Sequence, residues 1–208
     1  MFWQVISGFD ASLLVTFVLA GLILNITPGA DFVFVTANSV AGGAKRGIAA
    51  AIGINAGIVV HVAAAAAGLS ALLLTYPAAY AAIRYAGAIY LFYLAYQAWT
   101  AKAASANAET ESSFRRTVSR GFLTNVLNPK TALFIFAFIP QFTDPAIGPI
   151  WMQILFLGLV FMVNGFLFTL CLALTAGTLS RGLRTHSAFL NKLTALIFGG
   201  LAARLILD

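Results

Sequence analysis

The sequence predicts an all-α integral membrane protein: six transmembrane helices, arranged as two inverted three-helix repeats with a broken first helix in each half. Three observations carry that expectation. First, 61% of the 208 residues are hydrophobic and only 9% charged, with a mean hydropathy of +0.95. Soluble domains carry roughly 25% charged residues, so this chain has too few polar groups to cover a water-facing surface. Second, the apolar runs are long and rich in Ala, Leu, Ile and Phe, without the alternation of barrel strands, which suits helices of about 20 residues. Third, the apolar pattern is interrupted twice, by "NITPGAD" (Asn25 to Asp31) and by "NPKT" (Asn128 to Thr131), with the prolines 101 residues apart.

Charge clusters and Gly/Pro punctuation cut the chain into spans at 11–40 (containing the first break), 47–75, 82–100, 119–142, 150–178 and 187–207. The opening "MFWQVISGFD" lacks the Lys/Arg-rich start of a signal peptide, and no small-residue cleavage pattern ends the first run, so it is kept as a span. The second spans of the two halves are each about 29 residues, roughly 43 Å as helix, and therefore tilted or protruding. Each has an asparagine near its middle, Asn55 in "GINAG" and Asn164 in "VNGF". The third spans both carry glycine, in "YAGAIYL" and "IFGGLAARL". A lone Cys171 excludes an internal disulfide and is expected as a small packing residue.

The only polar linker is "AASANAETESSF" (103–114), which straddles the midpoint. It divides the chain into a first repeat at 1–102, a linker at 103–118 and a second repeat at 119–208. Three spans per half force the halves into opposite orientations, the arrangement of inverted-repeat transporters. Lys45, Arg46, Lys102, Arg115, Arg116, Arg120, Arg181, Arg184 and Lys192 fall on one set of loops, whereas the opposite set offers only Arg84 and Arg204 among cations. The positive-inside rule then makes the linker cytoplasmic and puts both termini outside. The net charge of +6 is thus a topology signal, and no nucleic-acid partner is implied.

A proline removes an N–H and leaves carbonyls of the preceding turn without partners. Within a bilayer such a break belongs where it lines a cavity, and half-helix ends present dipoles to charged groups. Each half is expected to contribute one interrupted helix to a central polar site. Asp31 and Lys130 give that site opposite charges, which would complement a zwitterion such as an amino acid. Lys130 could instead snorkel to the interface, Asp31 could cap the helix that resumes at Phe32, or the two could pair. Asn25, Thr27, Asn125 and Asn128 could cap broken ends or contact ligand. Pro28, Gly29 and Pro129 shape the breaks, and Asn55 and Asn164 complete the candidate substrate-binding set. For proton coupling the candidates are Asp31 and His61, the latter balanced against a packed, hydrogen-bonded role. Gly53 and Gly57 form a small-xxx-small packing face.

The stretch "NITPGADFVFVTANSVAGGAKRGIAAAIGINAGIVVH", with "RYAGAIYLFYLAYQAW" and "GFLTNVLNPKTALFIFAFIPQF", resembles the lysine exporter/threonine–homoserine efflux (LysE/RhtB) family over nearly the whole chain. The resemblance implies export of amino acids or related small metabolites across the bacterial inner membrane, driven by the proton gradient. It carries Pro28, Gly29 and Asp31 over from the first motif and Asn125, Asn128, Pro129 and Lys130 from the second. One departure is that the family's second proline in P-G-P is Ala30 here, which puts any borrowed substrate preference in doubt. An enzyme is disfavoured: there are two histidines, His61 and His186, and neither G-x-S-x-G nor H-E-x-x-H occurs. No cofactor or metal is expected. A gradient-independent channel or an exporter of another solute is the alternative. The expected partners are a small amino-acid substrate, protons and the bilayer, and a homo-oligomer remains open.

Overall fold

The computed structural model describes residues 2–27, 29–69, 77–100 and 113–185, with isolated helical positions between 192 and 206. The described residues are mostly helical, with no strand among them. Seven helices are named here: α1 (Phe2–Gly8), α2 (Ala11–Ile26), α3 (Ala30–Ala64), α4 (Pro77–Thr100), α5 (Phe114–Val126), α6 (Pro129–Leu133) and α7 (Ile150–Thr185). A π-helical turn, Ala65–Leu69, continues α3, and a π-helical turn (Phe134–Phe138) followed by a 3-10 turn (Ile139–Phe142) continues α6. By length and composition Ile150–Thr175 is apolar enough to cross a membrane, as is Ala30–Gly68 taken as one stretch although it turns at Gly42–Gly43, and α5 with α6 and its continuation forms a further candidate span bent by 52°.

Local chemistry sets the ends. Asp10 caps α2, its carboxylate accepting the N–H groups of Ser12 at 2.8 Å and Leu13 at 3.1 Å and the Ser12 hydroxyl. At the other end Thr27 is already extended (φ −61°, ψ 123°), as the residue before a proline must be. Pro28 itself lies outside the described residues. Proline opens α4 and α6, where its missing N–H is harmless.

The element α3 folds back on itself at Gly42–Gly43. Gly43 has φ +70° with ψ −174°, a conformation essentially reserved for glycine. The two arms then run side by side: Arg46 Nε donates to Asn38 Oδ1 at 3.0 Å, and Val35 shares an apolar cluster with Ala50 and Ile54. The second arm crosses α5 at closest approach between Gly53 and Gly121. A Cβ on Gly121 would sit 2.8 Å from the Ala50 carbonyl oxygen, and one on Gly57 only 2.7 Å from Asn125 Cβ. The small-xxx-small face therefore works as a helix-packing seam. It continues to His61, whose Nε2 donates to the Asn125 carbonyl at 3.1 Å.

α7 packs against both arms of α3 and against α2. Beneath the breaks lies an aromatic core of Phe17, Phe134, Phe138, Phe142 and Phe161, with Phe17 edge-on to Phe142 at 5.2 Å and Phe134 against Phe161 at 4.9 Å. The loop into α7 is tied by buried Gln153, which donates to the Asp144 and Gly148 carbonyls and accepts the Asp144 N–H.

Several boundaries differ from the sequence expectation. α5 starts at Phe114, inside the stretch assigned to the linker, because Ser113 caps it by accepting the Arg116 N–H; an apolar window finds a span, not a helix start. α4 begins at Pro77 rather than near 82, and α7 runs past 178 to Thr185 as its basic end stays helical. α1 was not anticipated; Gly8 rests on Ile147 in the loop before α7. Cys171 is exposed rather than packed. Linker residues 101–112 and most of the sixth span lie outside the described residues.

Candidate functional site

The two chain breaks face each other, and each supplies the charge that the other needs. Lys130 sits in the first turn of α6, the wrong end of its own helix for a cation. Its side chain crosses to α2, where Nζ donates to the carbonyls of Leu24 at 2.7 Å and Thr27 at 2.9 Å. The Leu24 carbonyl would ordinarily take the N–H of residue 28, which is a proline and has none. The ammonium therefore replaces a missing backbone donor at the negative end of α2. Gly29 leaves room for this reach, since a Cβ there would meet Lys130 Cδ at 3.4 Å and Nζ at 3.3 Å.

Asp31 makes the reciprocal crossing. It lies in the first turn of the resumed helix α3, where the dipole favours an anion. Oδ2 accepts from Asn125 Nδ2 at 2.8 Å and from Thr131 Oγ1 at 3.1 Å. Oδ1 is buried and has no protein partner. The carboxylate is thus half-satisfied by the second break and half-free toward the space between the breaks.

That space is a small cavity of about 30 Å³, above the roughly 10–15 Å³ that a single water needs. Its polar wall includes Asn25, Thr27, Asp31, Asn55, Asn128 and Lys130; its apolar wall includes Leu24, Ile58, Phe161 and Phe168. Three polar atoms in this wall are buried without a protein partner: Asn25 Nδ2, Asp31 Oδ1 and Asn55 Oδ1. Unpaired polar groups in an enclosed site cost free energy, about 1–3 kcal/mol each, unless a ligand or water meets them. Ligand pockets commonly measure about 300–1,000 Å³, so this site is closed around its polar groups.

Several residues of the candidate set also bond the protein's own backbone or side chains. Thr27 and Asn128 serve the broken ends: Thr27 Oγ1 donates to the Ile23 carbonyl at 2.7 Å, and Asn128 Oδ1 accepts the Lys130 N–H at 3.0 Å. Asn125, fully buried, holds Asp31. Gly29 and Asn55 line the cavity, whereas Pro129 is exposed at the start of α6. Asn164 lies apart, donating to the Val18 carbonyl at 3.0 Å beside Gly21. His61 is buried in the α3–α5 seam on the Asn125 carbonyl, the packed and hydrogen-bonded arrangement, and is linked to Asp31 only through Asn125. Among the described residues no group of three or more His, Cys, Asp or Glu could hold a metal ion.

Sequence reasoning missed Thr131, although it ends the quoted "NPKT" and its spacing from Asn128 puts it on the same side of the break. It also missed Gly165 and Thr169 of α7, which line the cavity. In an almost wholly apolar helix no periodic signal marks them.

No solved structure matches the chain. Its sequence is 30% identical to the leucine efflux protein of Salmonella typhimurium over 197 residues, covering 91% of this chain and 92% of that protein. The leucine efflux protein of Klebsiella pneumoniae gives the same identity and coverage. An uncharacterised membrane protein of Vibrio cholerae is 28% identical, over 92% of this chain and 95% of its own length. The family model described as the LysE type translocator matches residues 22–208, which contain both breaks and the whole cavity wall, and the chain belongs to that family.

Proposed function

We propose that this protein is a secondary active transporter that exports an amino acid from the cytoplasm by proton antiport. The observation that carries the reading is the closed cavity between the two breaks, with unpaired polar atoms on one wall and apolar side chains on the other. A zwitterion with an aliphatic side chain matches both walls. Its ammonium would meet Asp31 Oδ1 and Asn55 Oδ1, its carboxylate Asn25 Nδ2 and the Lys130 charge, and its side chain Leu24, Ile58 and Phe161. The leucine efflux relatives support a neutral, branched substrate, and membership of a translocator family supports transport over catalysis.

Asp31 is the group on which a proton and the substrate ammonium compete. Protonated, it has no charge for the ammonium and releases the substrate; deprotonated, it rebinds one. Asn125 holds Asp31 in place, Thr27 and Asn128 bond the broken helix ends, and His61 acts on Asp31 through Asn125. The two three-helix repeats rock about the breaks to open the site to either side. The protein would lie in the bacterial inner membrane with both termini outside and the linker in the cytoplasm. The placement of the two breaks, with their prolines 101 residues apart and one on each side of the polar linker, supports the repeat.

Purified protein in liposomes under an imposed pH gradient tests the reading. Labelled leucine, alanine, threonine and lysine are followed with Asp31→Asn alongside. Gradient-driven flux of one or more, lost in the variant, is expected. Flux that ignores the gradient would make the protein a channel, and coupled flux surviving in Asp31→Asn at normal expression would remove that residue from coupling.

A further inference from the structure

The buried glycines inside the helices differ in what a side chain would meet: at Gly47 a Cβ would run into Ser39 and Ala173, and at Gly21 it would press on Phe161 at 3.2 Å. At Gly53, Gly57, Gly121 and Gly158 a Cβ would be driven into a packed neighbour: the Val118 carbonyl, Asn125, the Ala50 carbonyl and Val62 respectively. Helix packing alone accounts for those four. Gly165 of α7 is different. A Cβ there would meet only the Asn25 side chain, at 3.5 Å from Nδ2, 3.6 Å from Oδ1 and 3.9 Å from Cγ, all ordinary van der Waals contacts. Packing leaves space for alanine, and alanine is the better helix former. Helix packing therefore does not account for glycine at this position.

What surrounds it supplies the reason. Gly165 lies between Phe161 and Phe168 on the face of α7 that closes the central cavity, directly opposite the Asn25 amide whose Nδ2 has no partner. A methyl group at 165 would project into that cavity of about 30 Å³ and take part of its space.

We infer that Gly165 is a specificity-determining residue: its missing side chain leaves the room between Phe161 and Phe168 that a substrate with a branched aliphatic side chain needs, and alanine there restricts the site to smaller amino acids. The inference rests on the amino-acid transporter reading and names the position that sets the size of substrate accepted. One methylene in a fitted pocket discriminates by roughly 10- to 200-fold.

The experiment compares wild type, Gly165→Ala and, as a packing control, Gly158→Ala in liposomes under the same pH gradient. Flux of labelled leucine and labelled alanine is measured together with melting of each purified variant and its shift on adding either amino acid. Gly165→Ala is expected to melt at or above the wild-type temperature, to keep alanine flux, and to lower the leucine-to-alanine flux ratio by about tenfold or more. Its melting shift with leucine should fall while that with alanine persists. Gly158→Ala should melt lower with an unchanged ratio. An unchanged ratio in Gly165→Ala, or a lower melting temperature for it, overturns the inference while leaving the transporter reading standing. A wild type that moves neither amino acid and shows no melting shift with either overturns this inference, and one that also moves neither threonine nor lysine refutes the transporter reading with it.

Discussion

Lys130→Met tests whether this lysine is part of the protein's own framework. The side chain gives two charge-assisted hydrogen bonds, to the Leu24 and Thr27 carbonyls at 2.7 and 2.9 Å. Methionine fills much of the same volume but donates nothing, so two carbonyls at the end of α2 lose this donor. Each such loss costs about 1–3 kcal/mol, giving about 2–6 kcal/mol in all, less whatever is recovered by no longer holding an ammonium out of water. For a chain of this size 1 kcal/mol corresponds to roughly 2–4 °C in Tm, so a drop of about 10 °C lies mid-range. Melting in detergent, followed by loss of helical circular dichroism, reads it directly. Lys130→Arg should recover part of the loss, because a guanidinium can still donate to both carbonyls. A Lys130→Met variant that melts within a degree of wild type would refute the capping role and leave Lys130 as a substrate contact only.

Two further outcomes follow from local geometry. Gly53→Ala should lower Tm, because its Cβ would collide with the Val118 backbone carbonyl, which cannot rotate away; about 1–3 kcal/mol is the usual scale for such overpacking, and an unchanged melting curve would show that the α3–α5 seam is looser than described. Asp10→Ala should melt below wild type at neutral pH. The Ser12 hydroxyl, then the Leu13 and Ser12 N–H groups, hold the Asp10 carboxyl below its ordinary value of 3.8, so its contribution is full above pH 3.8 and is lost as pH falls through the depressed value. The two melting curves should converge in acid, and a gap that persists there would assign the effect to something other than the charged cap.

The order of apolar runs and the positions of the breaks were legible because they follow from single residues. Proline has no N–H wherever it stands, and a bilayer-length apolar run needs no partner to be recognised. The Gly53/Gly57 face could likewise be read from spacing. The charged residues were legible as a pair of functional positions but not in their partners. Asp31 and Lys130 suggested an acid and a base beside one ligand, whereas each first serves the opposite break: Asp31 receives Asn125 and Thr131, and Lys130 closes the end of α2.

The sequence by itself determined that this chain is helical, apolar enough for a membrane and broken twice at polar points, since those properties reside in composition and backbone chemistry. Only the tertiary structure decided which side chains meet across the breaks, that α3 turns back at Gly43, and that Gly165 faces a cavity while Gly53, Gly57, Gly121 and Gly158 face neighbouring residues. The physical reason is that a helix surrounded on all sides by apolar residues has no periodicity to fix its rotation. Which face looks inward is settled by the packing of one helix against the next.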